Sequence, residues 1–199
     1  MKARLILKLF ESNDSVTLYH GGKDLKQSFS SDDITHSKGR WEYGPGLYLT
    51  TEYDIASKYA KGSRKLYLVT VSKGTNISKV LIPLDDIQDF LKQYGIGSKS
   101  KEVMESLYRT AERVKTSPKV SAEYFLNNVI NSEAVKSSNT GRLRRFLVDR
   151  GVDYSIDTYE GHPLLVVFNS SKIEKVQEVD RSKVKEFSMP FGWKRSQVS

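Results

Sequence analysis

No cysteine occurs in the 199 residues, which excludes disulfides, thiolate nucleophiles and cysteine-ligated zinc together. Histidine is scarce: His20, His36 and His162 are too few for a multi-histidine centre, and no metal is expected. No run approaches the ~18 apolar residues that span a bilayer, so no membrane association is expected. Walker and Rossmann phosphate-loop spacings are missing, and there is no internal repeat. What is present suits one domain: hydrophobic residues make up 38% of the chain and aromatics 11%. The 32 Lys and Arg outnumber the 24 Asp and Glu, and the net charge of +8 favours an acidic partner, nucleic acid or an acidic protein surface. The lack of cysteine fits a cytoplasmic location, and a monomer is the expected state.

Pattern places a short strand over 16–20, a polar loop over 23–38, and a second strand over 47–50 after a Gly-Pro-Gly turn. A helix follows over 54–61, with Thr51 or Asp54 as N-cap and Gly62 as its stop. The clearest strand is 65–72, rich in β-branched and aromatic residues. Helices are expected over 83–94, 101–115, 121–131 and 141–150, and late strands over 152–156 and 164–168. Strands at both ends with helices between them argue for α+β, not a doubly wound parallel sheet. The expected organisation is an N-terminal extension (1–15), one domain (16–182) with a helical insertion at about 83–131, and a basic tail (183–199).

Two stretches carry chemistry. Leu18-Tyr19-His20-Gly21-Gly22 ends a strand in His-Gly, and Gly44-Pro45-Gly46-Leu47-Tyr48-Leu49-Thr50-Thr51 presents Tyr48 eleven residues before Tyr59. Two tyrosine faces can sandwich a planar ring, and Gly21, with no Cβ, lets its backbone approach that ring's edge. The pairing resembles the ADP-ribosyltransferase family in its His-Tyr branch, which includes the poly(ADP-ribose) polymerases. The resemblance implies a fold of two small packed β-sheets with a helical insertion, and NAD as co-substrate. It implies catalytic roles for His20 and Tyr48: His20 holds the adenosine-side ribose hydroxyl, while Tyr48 and Tyr59 stack on nicotinamide. It also implies that the Gly21 backbone grips the nicotinamide amide. Ala56 stands where several relatives place a serine for the nicotinamide carbonyl, so Ser57 beside it is the candidate for that contact. Arg40, with Lys38, is the candidate for neutralising the pyrophosphate.

The third family motif departs from the pattern. Gly161-His162-Pro163-Leu164-Leu165-Val166-Val167-Phe168 looks like the late strand, but Leu164 falls where the family's glutamate stabilises the oxocarbenium-like transition state. The nearest ionisable groups are Glu160 and His162. Three readings follow: Glu160 is the catalytic carboxylate, the acceptor supplies one, or the site binds without turnover. The resemblance therefore implies mono-ADP-ribosylation in preference to polymer synthesis. Its alternatives are an inactive NAD- or ADP-ribose-binding module and an NAD-dependent RNA 2′-phosphotransferase. The acceptor is a protein or a nucleic acid, and Lys136, Arg142, Arg144, Arg145, Arg150 and the tail are candidates for a phosphate-attracting surface. Tyr94 and Tyr124 are candidates for base stacking, with core packing the alternative.

The first ten residues are basic and apolar, too short and interrupted for a secretory signal. Leu9-Phe10-Glu11-Ser12 resembles the cleavage pattern of prohead proteases in large tailed phages. That implies a phage-encoded protein, carried in the head and acting in the host cytoplasm. The alternative is a first helix or strand that covers the core.

Overall fold

The computed structural model describes residues 3–22, 25, 42–60, 65–114 and 118–180. Lys38, Arg40, His36, Gly62 and the basic tail lie outside the described residues. In chain order the elements are α1 (Ala3–Ser12), β1 (Ser15–Gly22), β2 (Leu47–Thr50), α2 (Tyr53–Tyr59), β3 (Lys65–Ser72), β4 (Leu81–Pro83), α3 (Leu84–Tyr94), α4 (Gly97–Val114), β5 (Lys119–Ser121), α5 (Ala122–Asn131), α6 (Thr140–Val148), β6 (Tyr154–Tyr159), β7 (His162–Val167) and β8 (Ile173–Glu178).

The architecture is α+β. A six-stranded sheet runs in the order β6-β7-β2-β1-β3-β8, with every described pairing antiparallel. Among the described residues, the second sheet is the two-stranded β4-β5 ribbon. Its three-residue strands run straight into α3 and α5, too short to present a packing face of their own.

Strand alternation divides the interior. One face of the sheet carries Val16, Leu18, Leu49, Val69, Leu165 and Val167, and α1 covers it with Ile6 and Phe10. Within the expected extension, α1 is docked on the sheet: Ile6 and Phe10, four apart on one helix face, are buried, and Phe10 stacks on Tyr154 at 5.1 Å. Leu9-Phe10-Glu11-Ser12 forms the last turn of this helix. The opposite face splits in two. α2 covers Tyr19 and Leu66 with Ala56 and Ala60. The helical layer of α3, α4, α5 and α6 covers Leu164, Val166 and Phe168 through a core that includes Phe90, Phe125 and Phe146. Buried on both faces, β7 reads in sequence as an unbroken apolar run.

Local chemistry sets the helix ends. The Ser121 hydroxyl accepts from Tyr124 N–H at 3.1 Å and caps α5, while Asp85 and Asp86 in the first turn of α3 complement its dipole. The N-cap of α2 is Glu52, not Thr51 or Asp54, and its side chain makes no capping bond.

Candidate functional site

The three motif-bearing strands are neighbours, because β1, β2 and β7 adjoin in the sheet. β1 pairs with β3 along its whole length, yet its described register with β2 is the single pair Tyr19↔Thr50. The His20 imidazole spans to β2 here, with Nδ1 2.9 Å from the Tyr48 carbonyl. A carbonyl only accepts, so Nδ1 carries the hydrogen and Nε2 holds a lone pair. Burial pushes the His20 pKa below the usual histidine value, against the opposing pull of that hydrogen bond, and the ring is neutral near pH 7. Nε2 hangs over Gly22, where an added Cβ would lie 2.5 Å from it. The arrangement offers a ligand hydroxyl one fixed acceptor.

Alternation puts His20 on the Leu18 side of the sheet, stacked on Tyr67 at 6.4 Å. Tyr48 lies on the opposite side with Tyr19 and Gly21, as the Tyr19↔Thr50 pairing requires. Gly21 lies directly beneath α2, and a Cβ there would stand 1.8 Å from the Ala56 carbonyl oxygen. Only glycine permits so close a helix. The Tyr48 hydroxyl is pinned, donating to the Gly44 carbonyl at 2.8 Å and accepting from Tyr43 N–H at 3.2 Å. Burial raises its pKa far above the tyrosine norm, so it stays protonated. Ser57 donates its hydroxyl to the Asp54 carbonyl of its own helix at 3.3 Å.

Tyr59 is 45% exposed and meets Tyr159 rather than Tyr48, with ring centres 6.4 Å apart. Tyr43 packs edge-on against the same Tyr159 ring at 6.3 Å. Glu160 follows immediately in the two-residue turn that joins β6 to β7. Glu160 (φ 48°) and Gly161 (φ 79°) both adopt left-handed backbone, the signature of a tight type I′ hairpin. Glu160, a non-glycine residue in left-handed backbone, carries local strain in this turn. The hydrogen bond that Tyr159 donates to Tyr59, the charge Tyr59 can carry, and then the negative charge of Glu160 raise the Tyr159 pKa well above its usual value. Glu160 and Tyr59 are thus neighbours through Tyr159. Leu164 is 7% exposed within the helical-layer core and brings no charge.

Two further participants, Glu52 and Tyr159, escape sequence reasoning, as does the partner that His162 finds. The register Tyr48↔Val166, Thr50↔Leu164 continues by one more cross-strand step to Glu52 and His162, and their side chains meet with Oε2 2.5 Å from Nδ1. Tyr159 stands opposite His162 on β6. The Glu52–His162 pairing was hidden in a sequence separation of 110 residues, and the strand register exposes it.

Arg144 on α6 and Arg150 just beyond it are committed to structure. Arg144 is buried and donates to the Phe168 carbonyl at 2.8 Å. Arg150 binds Asp86 at 2.9 Å and lies 3.6 Å above the Phe146 ring. A cavity of about 310 Å³ between α3 and α6, bordered by Arg142 and Arg145, lies on the helical layer and not on the motif strands. Tyr124 bonds Ser106 and Thr110, and Tyr94 packs on Phe90, so both serve the core.

Among the described residues, no group of three or more His, Asp or Glu side chains is placed to hold a metal ion, and no helix is long and apolar enough to cross a membrane. No family model matches the chain, and no curated protein matches it. A solved structure similar to this chain is the crystal structure of an anti-CRISPR protein, at 11% identity over 83% of this chain and 96% of that chain, with a TM-score of 0.35. A likeness of that size supports no statement about fold or function.

Proposed function

We propose that the protein is a mono-ADP-ribosyltransferase that binds NAD, releases nicotinamide and passes one ADP-ribose to a macromolecular acceptor, protein or nucleic acid. The observation that carries this reading is the adjacency of β1, β2 and β7, which gathers three short stretches far apart in the chain. Three groups support this reading. The fixed Nε2 lone pair of His20 suits a ribose hydroxyl, the exposed Tyr59 ring suits a nicotinamide face, and Glu160 supplies negative charge at Tyr159, which Tyr59 meets. Arg40 is the candidate for the pyrophosphate.

Glu160→Gln is expected to lower nicotinamide release at least ~10-fold, because a carboxylate opposite a developing cation acts in the transition state. NAD affinity measured by calorimetry should stay within a few-fold. Normal release by this variant removes Glu160 from the chemistry. A non-catalytic NAD- or ADP-ribose-binding module is the second reading, favoured by the apolar, buried Leu164 on β7. NAD binding by the wild type without any nicotinamide release selects it.

A further inference from the structure

We infer that His162 and Glu52 form an acid–base dyad in which His162 takes the proton of the ADP-ribose acceptor and Glu52 is its positioning residue; the inference rests on the ADP-ribosyltransferase reading. The dyad stands next to the place where a charge is missing. His162 is two residues from Leu164 on the same strand face, about 6.6 Å along β7 at strand rise. Glu52 is two residues past Thr50, the cross-strand partner of Leu164. The two side chains are 28% and 29% exposed, dry enough to hold a fixed geometry and open enough to reach a ligand.

The hydrogen-bond pattern sets the roles. Glu52 takes no part in capping α2 and directs its carboxylate at Nδ1 of His162. A carboxylate on Nδ1 fixes the tautomer that leaves the Nε2 lone pair outward, and stabilises the imidazolium formed when Nε2 accepts a proton. No described residue hydrogen-bonds Nε2. The other described titratable groups on the bordering elements are Tyr159 and Asp157 of β6, Glu160 of the turn, Tyr53, Asp54 and Lys58 of α2, and Tyr59 and Tyr43 beyond Tyr159. Lys58 is the cation among these described groups, and it is exposed in the last turn of α2, away from the Glu52 end.

In the step, the bond between C1′ of the nicotinamide ribose and the pyridinium nitrogen breaks, and its electron pair leaves with neutral nicotinamide. The acceptor oxygen bonds to C1′, its proton passes to Nε2 of His162, and the imidazolium releases it to solvent. A base is needed only for an acceptor that must lose a proton. The dyad therefore assigns a hydroxyl acceptor, on a side chain or a ribose, in preference to a carboxylate.

The test uses the full chain and NAD, with water and methanol as hydroxyl acceptors, following nicotinamide release and methyl-ADP-ribose across pH. The wild type should show a rate that climbs with pH as the base is freed of its proton. His162→Gln, whose amide can still donate to Glu52, should lose that limb and at least ~10²-fold in rate at unchanged NAD affinity. His162→Gly should regain activity with added imidazole. Glu52→Gln should lower the rate and shift the limb without altering the affinity. A wild type that turns over while His162→Gln keeps both rate and profile overturns the dyad and leaves the ADP-ribosyltransferase reading intact. A wild type that binds no NAD or releases no nicotinamide overturns both.

Discussion

Replacing Gly21 with alanine tests the contact on which the site is built. The new Cβ would stand 1.8 Å from the Ala56 carbonyl oxygen, 2.7 Å from its carbon and 3.1 Å from the Ala60 nitrogen. All three are backbone atoms of α2 and the residue that ends it, so no rotamer change relieves the overlap. Either α2 or the end of β1 must shift. Overpacking a close-fitted interior by one methyl group costs about 1–3 kcal/mol, and a clash with backbone belongs at the upper end. At ~2–4 °C per kcal/mol for a chain of this size, the melting temperature should fall by roughly 6–12 °C. Two glycines serve as controls in the same thermal denaturation by circular dichroism. Gly97, at the start of α4, has nothing within 4 Å of its added Cβ, so Gly97→Ala should be neutral or stabilising by up to ~1 kcal/mol. Gly22→Ala meets first the tip of the His20 ring, which must strain or leave its bond to the Tyr48 carbonyl to make room. It should cost less stability than Gly21→Ala, where backbone is struck, yet weaken NAD binding in calorimetry. If Gly21→Ala melts like Gly97→Ala, α2 does not rest on β1 and the proposed site loses its wall.

Two further outcomes are expected. His20 has a lower pKa folded than unfolded, so the unfolded chain takes up its proton first: the contribution is fully present above about pH 6.5 and is lost as pH falls from there through the folded value. His20→Gln should flatten the decline of melting temperature between about pH 7 and pH 5, and parallel curves for wild type and variant would refute the burial of this ring. Phe10→Ala should destabilise by about 3–5 kcal/mol in denaturant unfolding, since Phe10 is buried on Tyr154; an unchanged midpoint would return α1 to the status of a removable extension.

Much of the fold was legible where burial writes a simple period. β2 and β3 match their expected bounds because each stands over a filled interior and is rich in apolar β formers. α3 is legible from Leu84, Ile87, Phe90 and Leu91 at helical spacing. β8 was missed for a physical reason. It is an edge strand with mostly exposed residues, and a register irregularity opposite Thr70 and Val71 separates Ile173 from Val176 by three positions, spoiling the alternation. α1 stays open in the sequence between a core-covering helix and an extension because only Ile6 and Phe10 of its described residues are fully buried, too few to distinguish the two. The site was legible in its local parts, His20-Gly21 and Tyr48 with Tyr59. It was not legible in its long-range ones: Glu52 with His162, and Tyr159 between Tyr43 and Tyr59, depend on cross-strand register.

The position of Leu164 explains why the charged groups lie where they do. Leu164, Val166 and Phe168 share one face of the β7 strand and its continuation, and all three are buried against the helical layer. A carboxylate at position 164 would lose its water to that layer and gain no cation, because the nearby arginine, Arg144, already donates to the Phe168 carbonyl. The helices that cover β7 therefore require an apolar side chain at this point. One cross-strand step further on, the layer ends: β7 begins at His162, the hairpin turns at Glu160 and Gly161, and β2 gives way to Glu52. Charge returns at the first row where solvent does. A site built on these strands must draw its electrostatics from that rim, from Glu52, His162 and Glu160 around Tyr159, and not from the centre of the sheet.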